Sequence, residues 1–143
     1  MDFGALRAKL EPVLGKRESV RVAYLFGSHA RGDARADSDL DFAVLFENPD
    51  LESFRSLWAD IHDVLGSAPF DLVTLNNADP VLCFDVIREG KPLFWRSDDE
   101  LNDFERRAWH RYQDTRHMRA IGDYYLLERA KEWSSSHSPS GNA

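Results

Sequence analysis

Cysteine is nearly absent from this 143-residue chain, and a lone Cys83 excludes an internal disulfide framework. Long apolar runs are missing too, which excludes a membrane span, and the N-terminus lacks the basic-then-apolar order of a signal peptide. These absences describe a cytoplasmic chain. Positive charge is in short supply: 18 Lys and Arg stand against 25 Asp and Glu, a net charge of −7. Proteins that hold nucleic acid neutralise phosphates with clustered Lys and Arg, so templated polymerisation and transfer-RNA binding are disfavoured. One local exception is the late cluster Arg106, Arg107, Arg111, Arg116 and Arg119. No His or Cys pattern matches a zinc site, and the histidines read as structural or surface residues.

What is present is enough for one compact domain, with 43% hydrophobic and 12% aromatic residues. Val20 to Phe26 and Leu40 to Phe46 are rich in β-branched and aromatic side chains and read as strands. Between them stand Gly27-Ser28 and, ten residues later, Asp39-Leu40-Asp41. Alternation along a strand puts Asp39 and Asp41 on one face, about 6.5–7 Å apart at Cα, and sends Leu40, Phe42, Val44 and Phe46 to the other. Two like charges on one face call for a counter-ion. Mg²⁺ takes one or two protein carboxylates and completes its shell with water and phosphate oxygens, so a nucleoside triphosphate is the expected co-ligand. Gly27 lets the backbone approach a phosphate, and a helix starting at Ser28 offers unpaired N–H groups and a hydroxyl. A third strand, Pro69 to Leu75, brings Asp71 to the pair, since neighbouring strands lie about 4.8 Å apart. Asp71 is the candidate base.

Rival motifs fail on their own terms. Gly27-x-x-x-x-Gly32 opens like a P-loop but continues with Asp33-Ala34 where Lys and Ser or Thr are needed. Asp37-x-Asp39-x-Asp41 opens like a calcium loop but has Phe42 where Gly is required and Asn48 where the closing Glu belongs. Arg31-Gly32-Asp33 is a chance tripeptide.

Flanking elements make up an α/β domain. Apolar residues recur at helical spacing over about 2–14 and 50–65, the second opened by Asn48-Pro49-Asp50 and closed by Gly66. Asp79-Pro80 starts a short helix through Arg88, and Pro92 to Trp95 forms a last strand. Helices are expected on one face of a small mixed sheet, leaving the other open to substrate. Residues 97–133 read as one long charged helix with Trp109, Tyr112, Ile121, Tyr124, Leu127 and Ala130 as its apolar stripe. Part of that stripe is expected to pack on the domain; the alternative to packing alone is that its aromatic end also docks a partner protein. The polar residues 134–143 read as a disordered tail.

Gly27-Ser28-x10-Asp39-x-Asp41 with a later strand carboxylate resembles the DNA polymerase β-like nucleotidyltransferase superfamily. Within it, the short chain and the stretch Gly27 to Arg35 are similar to the minimal nucleotidyltransferases, many of them MntA-type antitoxins paired with HEPN ribonuclease toxins. The resemblance covers about residues 20–95 of a single domain, 1–133. It implies a polymerase β-like fold and AMP transfer from ATP, with two Mg²⁺ ions on Asp39, Asp41 and Asp71. Gly27, Ser28, Arg31 and Arg35 would hold the nucleotide. The implied acceptor is a tyrosine hydroxyl on a cognate HEPN toxin. Two alternatives are a small-molecule enzyme of the aminoglycoside-modifying type and an inert module that neutralises the toxin by binding alone. Arg111 and His117 match the Arg-x5-His spacing of HEPN ribonucleases, but too little chain follows Trp95 for that domain, and the match is coincidental.

Overall fold

The computed structural model describes residues 2–136. The elements run α1 Phe3–Gly15, β1 Val20–Phe26, α2 Ser28–Arg31, β2 Leu40–Phe46, α3 Leu51–Leu65, β3 Phe70–Thr74, α4 Pro80–Glu89, β4 Lys91–Trp95, α5 Asp98–Asp114 and α6 Arg116–Ser136. Side-chain caps set the helix starts. Asp2, Asp50, Asp79 and Ser97 accept from the amides of Ala5, Ser53, Val81 and Glu100, each such cap contributing about 1 kcal/mol.

The four strands form one mixed sheet in the order β3-β2-β1-β4. β1 runs antiparallel to β2 and β4, while β2 and β3 are parallel. Asn76, just past β3, closes the far end of the sheet, exchanging both of its amide hydrogen bonds with the backbone of Phe46 at 2.7 and 2.9 Å.

Two hydrophobic cores flank the sheet. On one face α1 and α3 bring Leu6, Leu10, Leu57 and Ile61 against Leu25, Phe42, Val44 and Phe46. On the other, α4 and α5 bring Cys83, Val86, Phe104 and Ala108 against Val22, Tyr24 and Ala43. The expectation of helices on one face is therefore corrected. β1 is apolar on both sides, as strands buried on both faces are, and Tyr24 is fully buried with its hydroxyl donating to Glu105 at 2.5 Å. At the end where β2 and β3 begin, the second face carries the exposed Asp71 and the half-buried Asp41.

The expected single helix over 97–133 is two helices. The break falls at Thr115, whose hydroxyl donates to the Tyr112 carbonyl at 2.8 Å. Tyr112 stacks on Phe84 of α4 with centroids 3.9 Å apart, and the Arg119 guanidinium covers its other side at 3.7 Å. That sandwich fixes the joint. Packing onto the domain is made by Leu101, Phe104 and Ala108, whereas the expected stripe residues Trp109, Ile121, Tyr124 and Leu127 stay 41–63% exposed. α6 continues three residues past the expected boundary at 133, and the rest of the expected disordered tail, 137–143, lies outside the described residues.

Candidate active site

β1 ends at Phe26, and Gly27 turns the chain with φ 75° and ψ −157° into the one-turn helix α2. Only glycine adopts that backbone freely. It also leaves room: a Cβ at Gly27 would stand 2.3 Å from Oδ2 of Asp41. The carbonyl of Gly27 accepts from the amides of Ala30 and Arg31. The amides of Ser28 and His29, first in the helix, have no intrahelical partner.

Asp41 lies opposite Phe26 across the β1–β2 pair and opposite Asp71 across the parallel β2–β3 pair. Laterally paired residues point to the same side of a sheet. Asp41 and Asp71 therefore share a face, with Leu72 turned into the first core and Val73 packed against the second. Asp39 precedes β2 by one residue and is exposed, as is Asp71, while Asp41 is half-buried. Burial raises the Asp41 carboxyl above its ordinary range, the charges of Asp71 and then Asp39 raise it further, and His29 and Arg31 act in the opposite direction.

None of the three carboxylates makes a hydrogen bond or ion pair with a described residue. Unpaired like charges on one face, one of them half-buried, suit a divalent cation. Among the described residues no three His, Cys, Asp or Glu side chains form a ready-made cage. An ion taking one or two carboxylates and completing its shell with water and phosphate is what this donor set fits, and that is the habit of Mg²⁺.

The other predicted residues divide. Ser28 is half-buried beside the turn, its hydroxyl unpaired among the described residues. Arg31 is already engaged, its Nε donating to Asp33 at 3.3 Å and its guanidinium 3.6 Å from Glu89. Arg35 is exposed, its side chain unpaired among the described residues and its amide donating to Ser38 Oγ at 2.8 Å. Sequence reasoning passed over His29, whose Nε2 lies 3.0 Å from the Ser38 carbonyl; its position directly after Gly27-Ser28 was the available signal. Arg111, of the discounted Arg-x5-His pair, donates to the Ala78 carbonyl at 3.3 Å. A cavity of about 410 Å³ between Arg21, Asn76, Glu100 and Arg107 sits at the opposite end of the sheet. It is lined by charges already paired, Arg21 with Glu100 at 2.6 Å and Arg107 with Asp103 at 3.0 Å.

This geometry matches a known family. The model described as polymerase beta, nucleotidyltransferase covers residues 8–99, more than half of the chain. The chain belongs to the polymerase beta nucleotidyltransferase family. It is thus a nucleotidyltransferase, and the resemblance read from Gly27-Ser28 and Asp39-x-Asp41 holds. Among curated proteins it is similar to the protein adenylyltransferase MntA of Aphanizomenon flos-aquae, 32% identical over 107 residues, 67% of this chain and 71% of that one. Among solved structures, a toxin–antitoxin with AMP-PNP aligns at TM-score 0.70 and 29% identity, over 84% of this chain and 98% of its own. A tri-AMPylated HEPN toxin of Shewanella oneidensis in complex with MNT antitoxin gives a chain with TM-score 0.68 and 26% identity, over 87% of this chain and 99% of its own. Among the described residues no helix is long and apolar enough to cross a membrane.

Proposed function

We propose that this nucleotidyltransferase is a cytoplasmic antitoxin that transfers AMP from ATP to a tyrosine hydroxyl of a cognate HEPN ribonuclease toxin and so silences it. The observation that carries the reading is the placement of Asp41 between the Gly27 turn and Asp71, with no protein partner for either carboxylate. The MntA relative and the two toxin–antitoxin structures, one with AMP-PNP and one with an AMPylated toxin, support donor, acceptor class and partner.

Asp39, Asp41 and Asp71 would hold two Mg²⁺ ions. Such ions supply charge neutralisation at the phosphates and lower the pKa of the attacking hydroxyl. Ser28 and the free amides of α2 bind the phosphates of ATP. Arg35, whose side chain is unpaired, is the better placed of the two arginines to meet charge on the leaving group; Arg31 must first release Asp33 or Glu89. The tyrosine oxygen bonds to Pα, the Pα–O bond to the β-phosphate breaks, pyrophosphate leaves, and the phenolic proton passes to Asp71. Positioning and electrostatics carry the rate, as in phosphoryl transfer generally. Ile121, Tyr124, Tyr125 and Leu127 on the uncovered α6 offer the toxin an apolar surface.

The test is incubation of the chain with α-labelled ATP, Mg²⁺ and the toxin it co-purifies with, beside an Asp39→Ala, Asp41→Ala variant. Label should appear on toxin tyrosine and vanish with the variant. Toxin inhibition without label would leave a binding module, and label on a small aminoglycoside instead of the toxin would favour the drug-modifying alternative.

A further inference from the structure

We propose that His29 is a positioning residue that fixes Asp39 beside Asp41 beneath the Gly27 turn for divalent-cation binding. The inference rests on the reading of those carboxylates as cation ligands. Asp39 is not part of a strand. It ends the exposed stretch that leads from α2 to β2, where a carboxylate has little to hold it. Its two chain neighbours are nevertheless pinned. On one side the Ser38 carbonyl meets His29 Nε2 at 3.0 Å; on the other the Leu40 amide donates to the Pro69 carbonyl at 3.1 Å.

A carbonyl only accepts, so His29 carries its proton on Nε2 in this contact. The ring thus ties the helix that begins at the phosphate-sized turn to the residue before the first carboxylate. The Pro69 bond ties the next residue to the lead-in of β3, which carries Asp71. Remove the His29 bond and Asp39 hangs from one anchor: the start of its loop is tied to α2 by the Asp33 amide on the Ser28 carbonyl and by Arg31 on Asp33, but near Asp39 the remaining contacts, Ser38 amide to Arg35 carbonyl and Arg35 amide to Ser38 Oγ, are internal to the loop. The ring's backbone acceptor makes the effect depend on reach and on an N–H donor and leaves little role for ring aromaticity.

The experiment titrates the full chain with Mn²⁺ alone, following free Mn²⁺ by electron paramagnetic resonance, in wild type, His29→Leu, His29→Gln and His29→Asn, with thermal midpoints for each. Losing a partner that orients a metal ligand costs about 10–100-fold in affinity. His29→Leu should lose that much with its midpoint little changed. His29→Gln, whose amide nitrogen reaches about as far as Nε2, should recover most of the affinity, and the shorter His29→Asn should not. Wild-type affinity in His29→Leu overturns the inference. Should that variant not fold, equal affinities for the Gln and Asn variants overturn it as surely. A wild type whose Mn²⁺ binding survives Asp39→Asn, Asp41→Asn overturns the cation reading itself and the inference with it.

Discussion

Gly27→Ala is the substitution whose effect follows most directly from the coordinates. Two costs add. An alanine at φ 75° and ψ −157° sits in a region reserved for glycine, which costs about 1–3 kcal/mol. The new Cβ would lie 2.3 Å from Asp41 Oδ2 and 3.2 Å from its Cγ, and forced overpacking adds about 1–3 kcal/mol. The total is about 2–6 kcal/mol, or about 4–24 °C in thermal midpoint for a chain near this size. Gly32→Ala is the control: its φ of 84° is also left-handed, but nothing lies within 4 Å of the added Cβ, so about 1–2 kcal/mol is expected. Differential scanning calorimetry should separate them. The clash has a second signature, because removing the Asp41 carboxylate relieves it. Gly27→Ala combined with Asp41→Ala should be less destabilised than the sum of the single variants, by about 1–3 kcal/mol of coupling. Activity should follow position: with Asp41 pushed aside, AMP transfer should fall about 100-fold, while Gly32→Ala stays near wild type. A Gly27→Ala protein as stable as the Gly32→Ala control and additive with Asp41→Ala would refute the argument.

Two further outcomes are expected. Burial and the neighbouring carboxylates hold the Asp41 acid above its unfolded value of 3.8. The folded protein therefore binds more protons in that window, and stability falls as pH rises from 3.8 through the folded value and stays lower above it. In chelator-treated buffer at neutral pH, Asp41→Asn should gain about 0.5–2 kcal/mol by thermal melting, with no gain at pH below the window; a loss at neutral pH would count against the electrostatic account. Arg96 donates to the carbonyls of Gly15, Arg17 and Val20 at 3.0, 2.7 and 2.9 Å, joining the end of α1 to the start of β1. Arg96→Met takes the side-chain donor from all three acceptors and leaves the Arg17 carbonyl only the Val20 amide at 3.0 Å, and because water reaches part of the site the cost should be about 2–4 kcal/mol in urea unfolding; a change under about 0.5 kcal/mol would show that the carbonyls find other partners.

The sheet was legible because its strands carry their own punctuation. Val20–Phe26 and Leu40–Phe46 occupy the spans their β-branched and aromatic residues mark, and Asp50 and Gly66 bracket α3 as cap and stop. The placement of Asp71 needed more, since a register shifted by one residue would have sent it to the other face; the parallel pairing of Asp41 with Asp71 is tertiary information. Coverage of both faces is written in the apolar residues on each side of β1, Ala23 and Leu25 toward one core and Val22 and Tyr24 toward the other. The break at Thr115 had no local signal, for neither Gly nor Pro stands there. It coincides with the stacking of Tyr112 between Arg119 and Phe84, the second of which belongs to α4 and lies far away in sequence. His29 escaped for a related reason: its partner is a backbone carbonyl, which no residue type announces.

The two ends of the chain obey different rules, and the contrast bears on how the protein acts. Among the described residues every buried hydrophobic one lies at or before Ala108, so both cores close without α6. Yet α6 carries Ile121, Tyr124, Tyr125, Leu126 and Leu127 within two turns, all of them exposed. These five lie among Arg119, Asp123, Glu128 and Arg129 and point to several sides of the helix, and large apolar side chains left uncovered together mark a surface that a partner covers. Stability of this body does not account for that composition, nor does the joint at Tyr112, which holds α6 in a set direction from α4 and α5. Both features are what a partner-binding arm requires; under the proposed function, recognition of the toxin falls to an element separate from the carboxylates that would modify it.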